Sequence, residues 1–285
     1  KILVLEKGVL PQGASTKNAG FACFGSVSEI LDDLHSHTEE EVLQLVQKRW
    51  EGLKLLRKRI GDEALDLKPF GGYELFLKED ESTYEECLQK LPFINELLKP
   101  LFKNDVFSKE VDRFAFQGIQ EYVLFNPYEA QIDTGNMMQQ LLKLAVQNNI
   151  LILNQQTVSS FIEKNNAVEV ELEDFSFPTK KLFFATNGFA NALTNGEVKP
   201  ARAQVLITRP IPNLDIKGTF HLDKGYYYFR NFENRILLGG GRNLDFDGET
   251  TTDLAQTEII QNKLEQLLKE VILPNQSFEI EHRWS

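Results

Sequence analysis

Cysteine and positive charge are both scarce in this sequence. The 285 residues include two cysteines, Cys23 and Cys87, so a framework of several disulfides is excluded and a zinc site built mainly on thiolates is not expected. Lysine and arginine number 31 against 42 acidic residues. The resulting formal net charge of −11 argues against nucleic acid as a partner, because phosphate backbones would be repelled.

Long apolar runs are lacking too. None approaches the ~20 residues that a membrane-spanning helix needs, and no basic, apolar signal sequence stands at the start. Few cysteines are typical of a protein in a reducing compartment. The sequence therefore predicts a cytoplasmic protein with no transmembrane segment. Its four histidines do not cluster, so no metal site is predicted.

Continuous apolar runs predict one class of strand. They occur at 2–5 and 149–153, and they are typical of parallel strands covered on both faces. Segment 180–188, KKLFFATNG, is predicted as a further buried strand that ends at Asn187 and Gly188. A hairpin is predicted after the second run, with its turn at Asn165 and Asn166. Two capping boxes predict helix starts, one formed by Thr38 with Glu41 and the other by Ser82 with Glu85.

A second class of strand follows without intervening helices, which predicts an antiparallel sheet. Its segments are 202–210, 225–232 and 235–241. We therefore predict a mixed α/β (α+β) chain in which two domains are interleaved rather than sequential. The predicted domains are a parallel-sheet domain at 1–67 and 128–199 and an antiparallel-sheet domain at 68–127 and 200–285.

Three short stretches could bind a ligand. Glu6 ends a predicted strand, where an acid can accept hydrogen bonds from ribose hydroxyls, although a solvated strand-end charge is the simpler interpretation. Segment 13–20, GASTKNAG, leaves backbone amides uncovered for a flat or anionic ligand, and a plain surface loop explains it equally well. Segment 183–188, FFATNG, ends another predicted strand, and alone it reads as an Asn-Gly turn.

In combination and in this order, these stretches resemble the D-amino-acid-oxidase-like family of FAD-dependent oxidoreductases. The segments that carry the resemblance are LVLEKG (3–8), GASTKNAGF (13–21), PYEAQIDTGNMMQQLLKLA (127–145), QTVSSF (156–161), FFATNGFAN (183–191) and YYYFRNFENRILLGGGRN (226–243). The resemblance implies an FAD-binding Rossmann-like domain interleaved with an antiparallel-sheet, substrate-binding domain. It also implies FAD as the cofactor.

The resemblance implies a role for residues along the whole chain. Glu6 would bind the adenosine ribose, Ser15 and Thr16 would lie by the pyrophosphate, and Val158 would contact adenine through its backbone. The flavin ring would be lined by the segment Asn18, Ala19, Gly20 and Phe21. The full set of cofactor-binding residues that the resemblance implies is Glu6, Lys7, Ser15, Thr16, Asn18, Ala19, Gly20, Phe21, Val158, Ala185, Thr186 and Gly188.

Two elements of the family pattern are absent from the sequence. A G-x-G-x-x-G strand-turn would precede Lys1, and a segment with flavin contacts would follow EHRWS. We expect a chain trimmed at both ends. A degenerate protein without cofactor is the alternative.

The family oxidises the C–N bond of an amine or amino acid by hydride transfer to flavin, giving an imine that water hydrolyses. Arg230, with Tyr226 and Tyr228 at alternate positions of a strand, is the predicted site for a substrate carboxylate. The same three residues could instead cover a sheet edge or contact a partner. The electron acceptor would be oxygen or a quinone-type carrier. Two alternative hypotheses for the function are a non-catalytic binding protein on a degenerate flavoprotein fold and an FAD-dependent glycerol-phosphate-type dehydrogenase.

Overall fold

The computed structural model describes residues 1–11, 13–194, 196 and 198–285. They form two compact units, each assembled from separate stretches of chain. The first unit comprises Lys1–Asn18, Thr134–Arg202 and Asp247–Asp253, and the second comprises Ala19–Asp133, Ala203–Phe246 and Leu254–Ser285. The assignment of an FAD-binding domain to 1–67 with 128–199, and of a substrate-binding domain to 68–127 with 200–285, stays a prediction.

Helices and strands alternate through the described ranges. The helices are α1 (Ala14–Lys17), α2 (Val27–Leu34), α3 (Glu39–Ile60), α4 (Glu81–Leu98), α5 (Thr134–Gln147) and α6 (Glu258–Leu267). The strands are β1 (Leu3–Leu5), β2 (Phe21–Ala22), β3 (Gly72–Glu74), β4 (Ser108–Val111), β5 (Tyr122–Asn126), β6 (Ala130–Gln131), β7 (Leu151–Leu153), β8 (Val158–Lys164), β9 (Ala167–Leu172), β10 (Ser176–Thr179), β11 (Gln204–Thr208), β12 (Thr219–Leu222), β13 (Tyr227–Phe232), β14 (Arg235–Gly240) and β15 (Ile280–Trp284). Short 3₁₀ helices cover Lys78–Asp80, Asn187–Ala192 and Arg242–Leu244, and a π-helical turn at Leu268–Ile272 continues α6.

The first unit contains two small sheets. Strand β1 pairs in parallel with β7, with Leu3 opposite Leu151. Strands β8, β9 and β10 form an antiparallel sheet. The hairpin predicted around Asn165 and Asn166 is confirmed as β8–β9. Asn166 adopts a φ of 66°, the left-handed conformation that such a turn requires.

The predicted burial of the apolar runs in the first unit is wrong. Ile2 is 61% exposed and Leu151 is 57% exposed. Within the described residues, β1 and β7 have only each other as strand neighbours. The strand predicted at 180–188 is also wrong, because 180–186 has no regular structure there and Phe183 is 82% exposed. Apolar composition alone does not supply the neighbouring strands that bury a parallel sheet.

The second unit is built on an eight-stranded sheet in the order β15-β11-β14-β13-β12-β3-β5-β4. All its pairs are antiparallel except β12–β3, in which Thr219 lies opposite Gly72. The antiparallel strands predicted at 202–210, 225–232 and 235–241 are confirmed as β11, β13 and β14.

One face of this sheet is apolar. Phe220 and Phe229 stack with ring centroids 4.5 Å apart, and Leu206 and Leu238 join them in a core that includes Leu264 of α6. Because side chains alternate along a strand, the residues between them point to the opposite face. We call that opposite side the polar face, defined by Glu74, Thr219, His221, Tyr228 and Arg230, which lie opposite one another on β3, β12 and β13.

Helices α2, α3 and α4 form a second core in this unit, which contains Phe24, Val46 and Leu98. The capping box of Thr38 and Glu41 is confirmed at the start of α3. The box predicted for Ser82 and Glu85 is wrong, since the 3₁₀ turn Lys78–Asp80 runs directly into α4 and places both residues inside the helix. Within the described ranges, none of the helices combines the length and apolar character of a membrane span.

Candidate functional site

Glu6 and Lys7 follow β1 directly. The backbone N–H of Glu6 donates to Leu153 at 2.9 Å, and its carbonyl accepts from Gln156 at 3.0 Å, so the parallel pair fixes its backbone. Glu6 Oε1 accepts from the Gly8 N–H at 2.7 Å. Among the described residues, Oε2 has no hydrogen-bond donor. This half-buried carboxylate at a strand end can therefore accept a bond from a ligand hydroxyl.

The segment predicted as a loop at 13–20 contains the helical turn α1. Gly13 precedes it with a φ of 83°, and an added Cβ there would meet no atom within 4 Å. The Gly13 carbonyl accepts from the N–H groups of Thr16 and Lys17. Within the described chain, no side chain caps this turn, which leaves first-turn N–H groups beside the exposed Ser15. Asn18 donates its side-chain amide to the carbonyl of Ala14 at 2.8 Å.

The remaining predicted residues of the first unit lie at β8 and in the segment after β10. Val158 is half-buried at the first position of β8. Ala185 and Thr186 are exposed, and the Thr186 carbonyl accepts from the Phe189 N–H at 2.9 Å. Gly188 lies in the 3₁₀ helix that follows Thr186, where an added Cβ would contact Pro200 at 3.4 Å.

The donors and acceptors of the first unit fit a dinucleotide. Glu6 offers a carboxylate oxygen for a ribose hydroxyl, and the Gly13–Thr16 turn offers N–H and hydroxyl donors for phosphate oxygens. Gly13 leaves open space where a side chain would project. The family-implied FAD therefore matches the chemistry of these residues, although their individual contacts stay predictions.

Ala19, Gly20 and Phe21 belong to the second unit, where the chain enters β2. Strand β2 pairs with β6, so that Phe21 lies opposite Gln131. Gly20 has a φ of 73°, and an added Cβ would lie 2.4 Å from the carbonyl oxygen of Ile132 and 2.8 Å from a guanidinium nitrogen of Arg230. Only glycine fits at this position, and the backbone of the predicted flavin loop therefore lies directly against Arg230.

Arg230 is a buried cation on the polar face, 5% exposed. One of its terminal nitrogens donates to Gln131 Oε1 at 3.4 Å, and its Nε has no partner among the described residues. Burial lowers its pKa to about 10, while the carboxylates of Asp133 and Asp66 oppose this shift. Arg230 is thus charged at neutral pH, with hydrogen-bonding capacity left for an anionic ligand.

A cavity of about 310 Å³ adjoins Arg230. Its walls carry both charge signs and two aromatic rings. The lining residues are Asp66, Lys68, Phe70, Gln131, Ile132, Asp133, Arg230, Asn231, Phe232 and Glu233. Asp66 and Lys68 form an ion pair at 2.6 Å. Such a cavity has the mixed polarity that a small zwitterionic or anionic molecule requires.

The three predicted substrate residues are not placed together. Tyr228 shares the polar face with Arg230, and its ring contacts Phe21 with centroids 5.7 Å apart. Burial raises the pKa of Tyr228 to about 12, so its hydroxyl stays protonated at neutral pH. Tyr226 lies instead in the turn before β13, exposed, and its ring packs against Phe246.

A buried ionic cluster on the polar face was missed by the sequence analysis. His221 Nε2 lies 3.2 Å from Glu129 Oε2, and its Nδ1 lies 4.0 Å from Glu29 Oε2. Burial disfavours the imidazolium, but the charges of Glu129, Glu29 and Glu74 outweigh it and raise the pKa of His221 to about 9. No local pattern in the sequence indicates this pairing, because His221 and Glu129 are 92 positions apart.

Glu74 extends this cluster to the start of α2. Its carboxylate accepts from the backbone N–H of Val27 at 3.0 Å, the N–H of Ser28 at 3.2 Å and the hydroxyls of Ser26 and Ser28. Burial raises the pKa of Glu74 to about 7, against the effect of these donors. Within the part of the chain that the structure describes, no group of His, Cys, Asp and Glu is arranged to hold a metal ion.

Solved structures that share this fold include three oxidases. Iminodiacetate oxidase from Chelativorans sp. BNC1 superposes with a TM-score of 0.71 at 14% identity, covering 99% of this chain and 82% of that one. L-α-glycerophosphate oxidase from Mycoplasma pneumoniae, with FAD bound, gives 0.71 at 16% identity, covering 100% and 75%. Glycine oxidase from Geobacillus kaustophilus gives 0.67 at 14% identity, covering 99% and 74%.

At these identities the similarity establishes the fold, and the predicted mixed α/β flavoprotein fold is confirmed. A comparison with curated proteins found no match. The model of one protein family, described as FAD dependent oxidoreductase (DAO), matches residues 1–285, which is the entire chain. Since that match leaves no part of the sequence outside the family, the chain belongs to the DAO family and is an FAD-dependent oxidoreductase.

Proposed function

We propose that this protein oxidises the C–N bond of an amino acid or a related amine carboxylate. The observation that carries the proposal is Arg230, a buried cation beside a cavity of about 310 Å³, whose Nε has no hydrogen-bond partner among the described residues. A buried guanidinium that lacks a carboxylate within ion-pair distance in the described chain is matched best by a carboxylate supplied by the substrate.

Arg230 would bind and orient that carboxylate. The planar guanidinium offers parallel N–H donors, which hold a carboxylate in one orientation rather than as a freely rotating charge. Tyr228, kept protonated by burial, would add a hydroxyl donor on the same face. Phe70 and Phe232 in the cavity wall would pack against the apolar part of the substrate.

The contacts with FAD are proposed for each unit by itself. One set of residues is proposed to contact the adenosine and pyrophosphate parts of FAD or to close over the cofactor. This set is Glu6, Lys7, Ser15, Thr16, Asn18, Val158, Ala185, Thr186 and Gly188. Ala19, Gly20 and Phe21 are the proposed contacts of the flavin ring. When bound, FAD would accept a hydride from the carbon that bears the nitrogen, while the nitrogen loses a proton, and water would hydrolyse the resulting imine. No strong side-chain base is required, since the substrate amine has only to be neutral.

The test is anaerobic bleaching of the flavin absorption in the FAD-loaded protein. We expect bleaching with one or more amino acids and less with the matching amines that lack a carboxylate. A protein that binds FAD but is bleached by none of these compounds would contradict the proposal. A protein that stays colourless with added FAD would indicate a non-catalytic binding protein instead.

A second candidate substrate class is a polyol phosphate. The glycerophosphate oxidase structure shares the fold, and a phosphate group could occupy the same position beside Arg230. Glycerol phosphate therefore belongs in the same panel. Bleaching by glycerol phosphate alone would indicate that Arg230 binds a phosphate group and not a carboxylate.

A further inference from the structure

The cluster around His221 has no role in the function proposed above, although the side chains of His221 and Glu129 are buried. His221 stands in β12 with Glu129 at one ring nitrogen, 3.2 Å away, and Glu29 of α2 at the other, 4.0 Å away. Glu129 also accepts from Thr219 Oγ1 at 3.0 Å and from Asn126 Nδ2 at 3.4 Å. Two carboxylates flanking one imidazole favour the doubly protonated, cationic ring.

The charged groups that raise the pKa of His221 are all carboxylates. Glu129 precedes β6, Glu29 lies on α2, and Glu74 lies opposite His221 on β3, all three raising the pKa of the imidazole. On β13, opposite His221, stands Tyr228, which is neutral at neutral pH. Cys23, between β2 and α2, is also kept neutral, since burial and the charges of Glu129 and Glu29 raise its pKa.

The ring of Phe21 rests against this cation. Its centroid lies 5.3 Å from the centroid of His221 with an interplanar angle of 89°, and 5.7 Å from that of Tyr228 with an angle of 76°. The edge-to-face arrangement is the favourable geometry for aromatic pairs. Strand β2, which contains Phe21, is also linked to this cluster through strand pairing. It pairs with β6, and Glu129 immediately precedes β6.

We propose that the protonated His221, held between Glu129 and Glu29, fixes the ring of Phe21 and is thereby a positioning residue for the flavin-facing loop Ala19–Phe21. The inference rests on the proposed function only in assigning that loop to the flavin. The contact between His221 and Phe21 is a property of the second unit alone.

The proposal has a pH signature. His221 has a pKa of about 9 in the folded protein, so it loses its charge as the pH rises through 9. Neutralisation would weaken the ion pair with Glu129 and release both the ring of Phe21 and the β6 segment. Tyr228 ionises at a higher pH, with a pKa near 12, and Arg230, which lies against Gly20, has a pKa of about 10. The dependence of the midpoint on His221 therefore separates the titration of His221 from those of the other two groups.

The test places 4-fluorophenylalanine at position 21 of the full chain and follows its fluorine NMR signal from pH 6 to 10.5, with and without FAD. We expect a chemical-shift change with a midpoint near pH 9 in the parent protein. His221→Gln should abolish it. His282→Gln, which changes an exposed histidine of β15, should leave it unchanged. A midpoint that persists in His221→Gln, or no change in the parent protein, would overturn the proposal.

Glu129→Gln serves as the second variant if His221→Gln fails to fold. It keeps a hydrogen-bonding side chain beside His221 but removes the charge, and the midpoint should move to lower pH. In the FAD-loaded protein, the dissociation constant of FAD should rise up to about tenfold across the transition, as expected for loss of one aromatic contact. An FAD affinity that does not follow the fluorine signal would overturn the link to the flavin. Failure to bind FAD at all would leave the fluorine result intact and contradict the proposed function instead.

Discussion

The α-carbon of Gly20 lies so close to Arg230 that a methyl group added to it would be 2.8 Å from the guanidinium. The backbone of the loop Ala19–Phe21 therefore packs directly against the buried guanidinium of Arg230. A change that moves this loop away from Ile132 also removes a packing contact of Arg230. We therefore expect substitutions at Gly20 to alter the position of the Arg230 side chain.

Gly20→Ala should destabilise the protein and weaken binding of a carboxylate substrate. The left-handed φ costs roughly 1–2 kcal/mol for a residue with a Cβ, and overpacking against Ile132 and Arg230 adds about 1–3 kcal/mol. Gly13→Ala is the matched control, because Gly13 also has a positive φ but open space around its Cβ position. Urea unfolding of both variants measures the difference. Equal losses would show that the contact with Arg230 is irrelevant.

Arg230→Ala should raise the KM of an amino-acid substrate about 10- to 100-fold, the equivalent of one charge-assisted interaction. The KM of an amine without a carboxylate should change far less. Arg230→Lys should fall between, since it keeps the charge but loses the planar donor pair. Arg209→Ala, at an exposed arginine of the same unit, should have no effect. Equal effects on both substrates would show that Arg230 does not bind a carboxylate.

Glu249→Gln should destabilise the first unit more than a surface ion pair could. Arg202 and Glu249 form a two-bond pair at 2.8 and 2.7 Å, with side chains 7% and 0% exposed. The variant would leave the buried guanidinium of Arg202 beside a neutral amide, which should lower the free energy of unfolding by about 3–5 kcal/mol. The control, Asp62→Asn, breaks an equally short pair with Arg57 that is exposed to solvent, and it should cost less than about 1 kcal/mol. Thermal unfolding would reveal whether the two losses differ as stated.

Glu74→Gln should gain stability relative to the parent protein as the pH rises. The pKa of Glu74 is about 7 when folded, above its ordinary value of 4.5, so ionisation opposes folding progressively between pH 4.5 and 7. The glutamine side chain of the variant cannot ionise, so the variant does not lose this stability. Its free energy of unfolding should therefore increase relative to that of the parent protein from pH 5 to pH 8. Glu85→Gln, at an exposed residue of α4, should show no such trend. A flat difference for Glu74→Gln would contradict the raised pKa.

Local patterns in the sequence predicted the elements that are stabilised locally. Helix α3 begins at the capping box of Thr38 and ends at Gly61, and the β8–β9 hairpin turns at Asn166, because each signal is satisfied by neighbours in the chain. The apolar run at 180–186 could not be assigned in the same way. Whether such a run forms a strand depends on partners elsewhere, and the structure supplies none among the described residues.

The candidate site could be predicted only in part for the same reason. Alternation along β13 places Tyr228 and Arg230 on one face, which the sequence pattern indicated. The position of Tyr226 depends on where the strand begins, and the turn before β13 removes it from that face. The ion pair of His221 with Glu129 depends on the pairing of distant strands, which no local pattern encodes.

The parallel pairing of β12 with β3 affects how the chain can fold. Thr219 bonds to the Gly71 carbonyl across 148 positions of sequence, so β3 is made long before its partner. Until β12 is synthesised, one edge of β3 presents unpaired backbone groups, and closing so long a loop is slow. While the residues between Gly71 and Thr219 are being synthesised, the nascent chain therefore carries an open strand edge, and in this period it is most dependent on protection from aggregation.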